Sequence, residues 1–286
     1  MADANNRQQE DNAMWPNGKR CAVALSFDFD AETIWFRTMK QPFPGQMSRG
    51  EYGARAGVPR ILQLLAKYDI HASFFVPGWT ADTYPHLVEQ MVAAGHEIGH
   101  HGYEHEYVVN KGREVELEVL EKGINSLQRL TGVIPKGYRS PAGNTGPYTL
   151  DLLLDLGFTY DSSLVGHDEP YWVTAAQSQR RLLEVPYSWE MTDTPHFLFS
   201  YVPYYAGMSS QHKVYEIWEA EFDGAYADGG FLCIVMHPQV IGRRSRMAML
   251  ERLIRHMQRH DGVWFATHLE VAEAWLAMQG QETSVT

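Results

Sequence analysis

Two cysteines in 286 residues, no apolar run of membrane-spanning length and no surplus of basic charge bound what this chain can be. Cys21 and Cys233 each sit inside an apolar, strand-like run. That setting suits buried free thiols better than a disulfide framework or a cysteine nucleophile. No stretch approaches the roughly 18 consecutive apolar residues of a transmembrane helix, so no membrane partner is expected. The formal net charge is -11, and the densest basic cluster is only Arg243, Arg244 and Arg246, which excludes a nucleic-acid footprint. The opening MADANNRQQEDNAMW has neither the basic start nor the apolar core of a secretory signal, and the expectation is a cytoplasmic protein.

What is present is the composition of an ordinary globular chain: 44% hydrophobic and 21% charged residues. The length suits one large core. We expect a polar, flexible arm over 1–18 and a single domain over 19–286. From there, short β-rich runs alternate with stretches of 3.6-residue periodicity, the pattern of βα units around a parallel sheet. Strands are expected at Cys21–Phe29, Ala72–Pro77, Glu97–His100, Gly137–Ser140, Thr159–Ser162, Leu183–Tyr187, Phe231–Met236 and Val263–Ala266. Helices are expected at Val58–Tyr68, Tyr84–Ala94, Arg113–Leu130, Pro147–Leu156, Lys213–Ala227, Ser245–His260 and Leu269–Met278. Gly95, Gly132 and Gly157 stand where three of these helices should stop. The alternation favours an α/β barrel over an open doubly wound sheet. Two inserts, 31–57 and 164–181, break the rhythm and read as binding loops or lids.

Chemistry-bearing residues gather at two places. The first strand ends in Ser-Phe-Asp-Phe-Asp-Ala-Glu, so an extended backbone would put Asp28, Asp30 and Glu32 on one face at the mouth of a barrel. At the third lie four histidines in ten residues, His96, His100, His101 and His105. The spacing of His101 and His105 brings two imidazoles together on one helical turn. Two nitrogens and one carboxylate oxygen, with positions left open for water and substrate, suit a hydrolytic divalent ion, Zn2+ first, with Mn, Co, Ni or Fe as alternatives.

SFDFDAE, HEIGHHGYEH, GYRSPAGN, YDSSL and IVMHP follow one another in the order of the five motifs of the NodB-type polysaccharide deacetylase superfamily, which the chain resembles from Cys21 to Pro238. The resemblance implies Asp28 as general base, Asp30, His101 and His105 as metal ligands, Arg139 as the group orienting the base and His237 as general acid. His96 and His100 fall outside the matching positions. The opening motif departs from the commoner TFDDG: Phe29 separates the aspartates and Ala31 replaces the glycine. With SRGEYGARAGVPRIL and WEMTDTPHF, this form resembles a branch holding cyclic imide hydrolases, cofactor-free allantoinase-like proteins and a peptidoglycan deacetylase relative. That branch implies a distorted (β/α)7-type barrel, a homotetramer and lid loops near subunit contacts. The leading expectation is a metal-dependent amidohydrolase that opens a small cyclic imide or amide of the succinimide, maleimide or glutarimide kind. The alternative is an N-deacetylase of an acetylated amino sugar or peptidoglycan fragment. Aromatic residues of the inserts, Trp35, Tyr52 and Trp172 among them, are candidates to enclose a planar ring, with Glu51 helping to shape the pocket.

Overall fold

The computed structural model describes residues 15–201 and 204–282. Eleven strands are present among them: β1 (Cys21–Asp28), β2 (Ser73–Val76), β3 (Glu97–His100), β4 (Gly137–Tyr138), β5 (Tyr160–Asp161), β6 (Tyr171–Thr174), β7 (Arg181–Glu184), β8 (Phe199–Ser200), β9 (Tyr205–Ala206), β10 (Phe231–Met236) and β11 (Val263–Phe265). Nine make one sheet in the order β10-β1-β2-β3-β4-β5-β7-β6, with β11 also on β1. All pairs are parallel except β6 with β7. Helices lie between the strands, and the sheet curls into the half-barrel of a distorted (β/α)7 fold.

The distortion is visible at β1. One edge pairs with β10 along Ala22–Phe27; the other is divided, with Cys21–Val23 on β11 and Ser26–Asp28 on β2. Side chains alternate in a strand. Cys21, Val23, Leu25 and Phe27 therefore enter the larger core against the helices, which also takes Ile61, Leu65, Trp218, Phe222 and Leu253. Ala22 and Ala24 enter the core inside the curl with Phe75, Tyr160, Val185 and Cys233. The inward row continues through Ser26 to Asp28. Its small residues leave the inside of the curl open near the mouth.

Local signals explain the ends of three of the longer helices. Val58–Tyr68 has a proline in its first turn and stops at Asp69, whose φ is 53°. Arg113–Thr131 stops at Gly132, and Gln211–Asp228 begins at Ser210, whose hydroxyl accepts from the Lys213 N–H, and stops at Gly229.

Three expectations need correction. The insert 31–57 is mostly helical, with Pro44–Tyr52 between two π-helical turns, Ile34–Thr38 and Gly53–Gly57. Gly50, Gly53 and Gly57 are contact points: a Cβ at Gly50 would stand 2.5 Å from the Ala31 carbonyl oxygen, one at Gly53 would stand 3.1 Å from the Gln239 backbone nitrogen, and one at Gly57 would strike the Pro238 carbonyl. Within the insert 164–181, Tyr171–Thr174 forms the antiparallel edge strand β6. The expected flexible arm lies outside the described residues as far as residue 14. Trp15 is already packed: it is 3% exposed, and its indole N–H donates to the Gly230 carbonyl. The packed body therefore starts before the expected boundary at 19.

Candidate active site

The curl's open end gathers Asp28, Asp30, His101, His105, Arg139 and His237 around one cavity of about 160 Å³. Asp28 closes the inward row of β1, and Asp30 follows two residues later, fully buried. Glu32 does not join them. Ala31 adopts a left-handed conformation (φ 52°), the extended alternation ends there, and the Glu32 carboxylate turns away to accept from the Tyr84 hydroxyl at 2.6 Å.

His101 and His105 leave the end of β3 in a loop, not on the expected helical turn, and His105 itself has φ 65°. Hydrogen bonds rather than helical geometry aim the two rings. His101 Nδ1–H donates to the Arg139 carbonyl at 2.6 Å. Thr38 Oγ1 lies 2.6 Å from His105 Nδ1 and 3.5 Å from the His105 carbonyl; in the tautomer with its proton on Nδ1 this ring donates to the hydroxyl and presents Nε2 as a lone pair. Both Nε2 lone pairs are left facing Asp30, 3.4 Å (His101) and 3.8 Å (His105) from its Oδ1. Asp30 Oδ2 accepts from Gln239, while Oδ1 is buried with no hydrogen-bond partner among the described residues. An orphaned carboxylate oxygen beside two unprotonated imidazole nitrogens, all within 4.8 Å of one another, is a donor set that fits a divalent cation. Burial works against the Asp30 charge, but positive charge on the surrounding imidazoles, His105 first and then His101 and His237, outweighs it and holds the carboxyl well below its ordinary range. Burial presses His105 down to about 4 despite Asp30, which keeps the ring neutral as a ligand requires.

Asp28 is held differently. Arg139 donates from Nη1 to Asp28 Oδ1 at 2.7 Å and to Ser26 at 2.9 Å, and from Nη2 to the Ser162 hydroxyl at 2.9 Å. Its Nε donates to the Ser162 carbonyl at 3.0 Å, and the guanidinium lies 4.0 Å over the Phe75 ring. The other Asp28 oxygen, Oδ2, faces His237 Nε2 at 3.8 Å and His101 Nε2 at 3.9 Å. His237 follows β10, and its Nδ1–H donates to Asp193 at 2.6 Å. Burial disfavours the imidazolium, but Asp193, with Asp30 and Asp28 behind it, raises His237 to about 9.

Asp193, Gln239 and Thr38 were not singled out from the sequence. Asp193 stood inside WEMTDTPHF and Thr38 inside the first insert, but which ring each one orients depends on contacts 44 and 67 residues away. His96 and His100 are structural. His96 accepts from the Ala72 N–H and is pushed down to about 4 by burial. His100 bridges the Leu120 carbonyl and the Gly102 N–H and is pushed down to about 3.

The four residues expected to shape the pocket do not line it. Trp35 is buried under Arg49, and Glu51 pairs with Arg55. Tyr52 donates to the Gly242 carbonyl, and Trp172 packs on Trp275. The first insert contributes Ile34, Thr38 and Met39 to the walls, and the second contributes nothing. The aromatic walls come instead from Tyr107, Tyr187 and Trp189.

A sequence profile described as polysaccharide deacetylase matches residues 48–160. A peptidoglycan deacetylase of Helicobacter pylori is 32% identical over 90% of this chain and 97% of its own length. The chain belongs to the polysaccharide deacetylase family. It is also similar to a peptidoglycan deacetylase-like protein of Gibberella zeae, at 28% identity over 90% of this chain and 87% of the relative. Among solved structures, a family member from Mycobacterium smegmatis is 37% identical with a TM-score of 0.85, and the Puue allantoinase is 30% identical with a TM-score of 0.82; in both, 93% of each chain is covered. The family assignment carries hydrolysis of an amide C–N bond, and the cavity described above is lined by residues of four of the five motifs, SFDFDAE, HEIGHHGYEH, GYRSPAGN and IVMHP.

Proposed function

We propose that this chain is a metal-dependent N-deacetylase of an acetylated amino sugar or a peptidoglycan fragment. The observation that carries amide hydrolysis is the division of labour between two neighbouring carboxylates: Asp30 offers a bare buried oxygen beside the Nε2 atoms of His101 and His105, whereas Asp28 is tied to Arg139 by one oxygen and keeps the other free over the cavity. A divalent ion on Asp30, His101 and His105 would polarise the acyl oxygen and acidify water. Asp28 Oδ2 accepts a proton from the attacking water as the new C–O bond forms. His237 Nε2 gives its proton to the departing nitrogen as the C–N bond breaks, and Asp193 supports the charged ring beforehand. Arg139 orients Asp28 through its 2.7 Å hydrogen bond to Oδ1. The products are acetate and a free amine.

The deacetylase reading takes precedence over imide opening for two reasons. The full-length curated relatives carry deacetylase names, and the insert aromatics that were to enclose a ring lie elsewhere. Opening of a cyclic imide or amide is retained as a second reading, because the resemblance to the Puue allantoinase is full-length and a cavity of about 160 Å³ is small. Acetate release from acetylated chito-oligomers is measured beside ring opening of succinimide, glutarimide, dihydrouracil and allantoin, with metal content determined on the same preparation. Acetate release that needs the metal is the expected result. Ring opening without acetate release would transfer the assignment to the second reading, and full activity in metal-free protein would end the mechanism.

A further inference from the structure

Far from the cavity, on the outer surface, Asp223, His256 and His260 present three ligand atoms within 4.8 Å of one another. Asp223 belongs to the helix Gln211–Asp228; His256 lies in the last turn of Arg244–Met257, and His260 just beyond it. We propose that these residues form a second divalent-metal site, selective for zinc, nickel or copper, that clamps the two helices together.

The donors are already arranged for it. His260 Nδ1–H donates to the His256 carbonyl at 3.0 Å, so its Nε2 carries a lone pair, 4.0 Å from Asp223 Oδ1. His256 Nε2 touches the same oxygen at 2.7 Å. On the opposite side of this ring, Nδ1 faces Glu219 Oε1 at 3.4 Å and accepts from Arg259 at 3.1 Å. When a cation takes His256 Nε2, the ring's single proton moves to Nδ1, Arg259 turns aside, and Glu219 is in place to accept the new N–H. No proton is lost or gained, and the result is the carboxylate–histidine–metal arrangement that fixes a ligand's tautomer. Packing limits the freedom of both rings: Phe222 lies 5.6 Å from His256 and 5.1 Å from His260, and Tyr226 lies 4.8 Å from His260. Two imidazoles and one carboxylate favour borderline ions over magnesium or calcium, which prefer oxygen.

The test uses the holoenzyme with its catalytic site filled. After brief chelation strips loosely held metal, the protein is titrated calorimetrically with Zn2+ or Ni2+ and its thermal unfolding is followed. We expect one further equivalent per chain and a Tm rise of about 4 °C at a hundredfold excess over Kd. His256→Gln and His260→Gln should each lose that equivalent and the Tm rise while keeping kcat and the tightly held metal. If the Asp223–His256 contact is only an ion pair, Asp223→Asn lowers Tm equally with and without added metal. That result, the absence of a further equivalent, or its survival in both histidine variants overturns the proposal.

Discussion

Replacing Arg139 with Met should cost the protein part of its stability, because this buried cation is hydrogen-bonded at every nitrogen of its guanidinium. The guanidinium is 2% exposed and makes hydrogen bonds of 2.7–3.0 Å to Asp28, Ser26 and both oxygens of Ser162, with His268 Nε2 at 3.1 Å. Methionine fills much of the volume over Phe75 but leaves Asp28, itself 4% exposed, as an uncompensated buried charge. Breaking such a pair from one side costs about 3–5 kcal/mol. With a urea m-value of about 3 kcal/mol/M for a chain this long, the unfolding midpoint should fall by about 1–1.7 M. The second half of the cycle is more discriminating. Adding Asp28→Asn to Arg139→Met removes the stranded charge, so the double variant should recover about 2 kcal/mol relative to Arg139→Met alone. The assay is urea denaturation followed by tryptophan fluorescence for the wild type, both single variants and the double variant. A single-variant cost under about 1 kcal/mol, or a double variant no more stable than Arg139→Met, would refute the claim that Arg139 is there to hold the Asp28 charge.

The two aspartates should separate in a metal-binding assay: Asp28→Asn keeps its metal and loses about 10²–10⁴ in rate, whereas Asp30→Asn loses metal, and equal loss from both would reject the division of roles. Gly50→Ala should cost about 1–3 kcal/mol in denaturant unfolding, since its Cβ meets the Ala31 and Glu32 backbone at 2.5 Å; a neutral effect would mean the helix can lift off freely. Asp161 and Glu184 form a buried carboxyl pair in which burial, first, raises Asp161 to about 6 and, with the Asp161 charge, raises Glu184 well above its ordinary range. Raised acid pKa values mean the folded state holds protons that the unfolded chain releases. Their contribution is therefore complete below about pH 4 and is lost as pH rises through 6. Glu184→Gln should flatten this fall in stability between pH 4.5 and 8, and an unchanged slope would show that the pair does not share a proton.

The sequence carries most of the barrel because its strands and helices differ in period. Glu97–His100 and Phe231–Met236 begin and end where expected, as does the helix Val58–Tyr68. The reading failed where a break in the alternation was taken as a loop or lid. In 31–57, Gly50, Gly53 and Gly57 are buried at helical spacing and press against Ala31, Gln239 and Pro238. A stripe of small residues three and four apart was the available signal for a helix lying close on its neighbours. At the site, the six residues found from the motifs converge on one cavity. The groups that orient their rings, Thr38 and Asp193, were hidden because a hydrogen bond across 40 or more residues leaves no local pattern. Trp35 and Trp172 were misplaced for a related reason: bulk and aromaticity serve a core as well as a pocket, and only tertiary packing decides between them.

The divided edge of β1 has a consequence for how the protein is made. The strand that carries Asp28 needs β10 on one side and β11 on the other, and those partners begin at Phe231 and Val263. During translation, β2 can cover only Ser26–Asp28 early; some 200 residues must leave the ribosome after β1 before its β10 edge can be covered, which takes roughly 10–40 s at ordinary elongation rates. For that interval an apolar strand, CAVALSFD, has no native neighbour along most of its length. Such a segment can pair with other chains or bind chaperones while it waits. Substitutions in β10 or β11 that slow docking should therefore reduce the yield of soluble protein more than they reduce the stability of the molecules that finish folding.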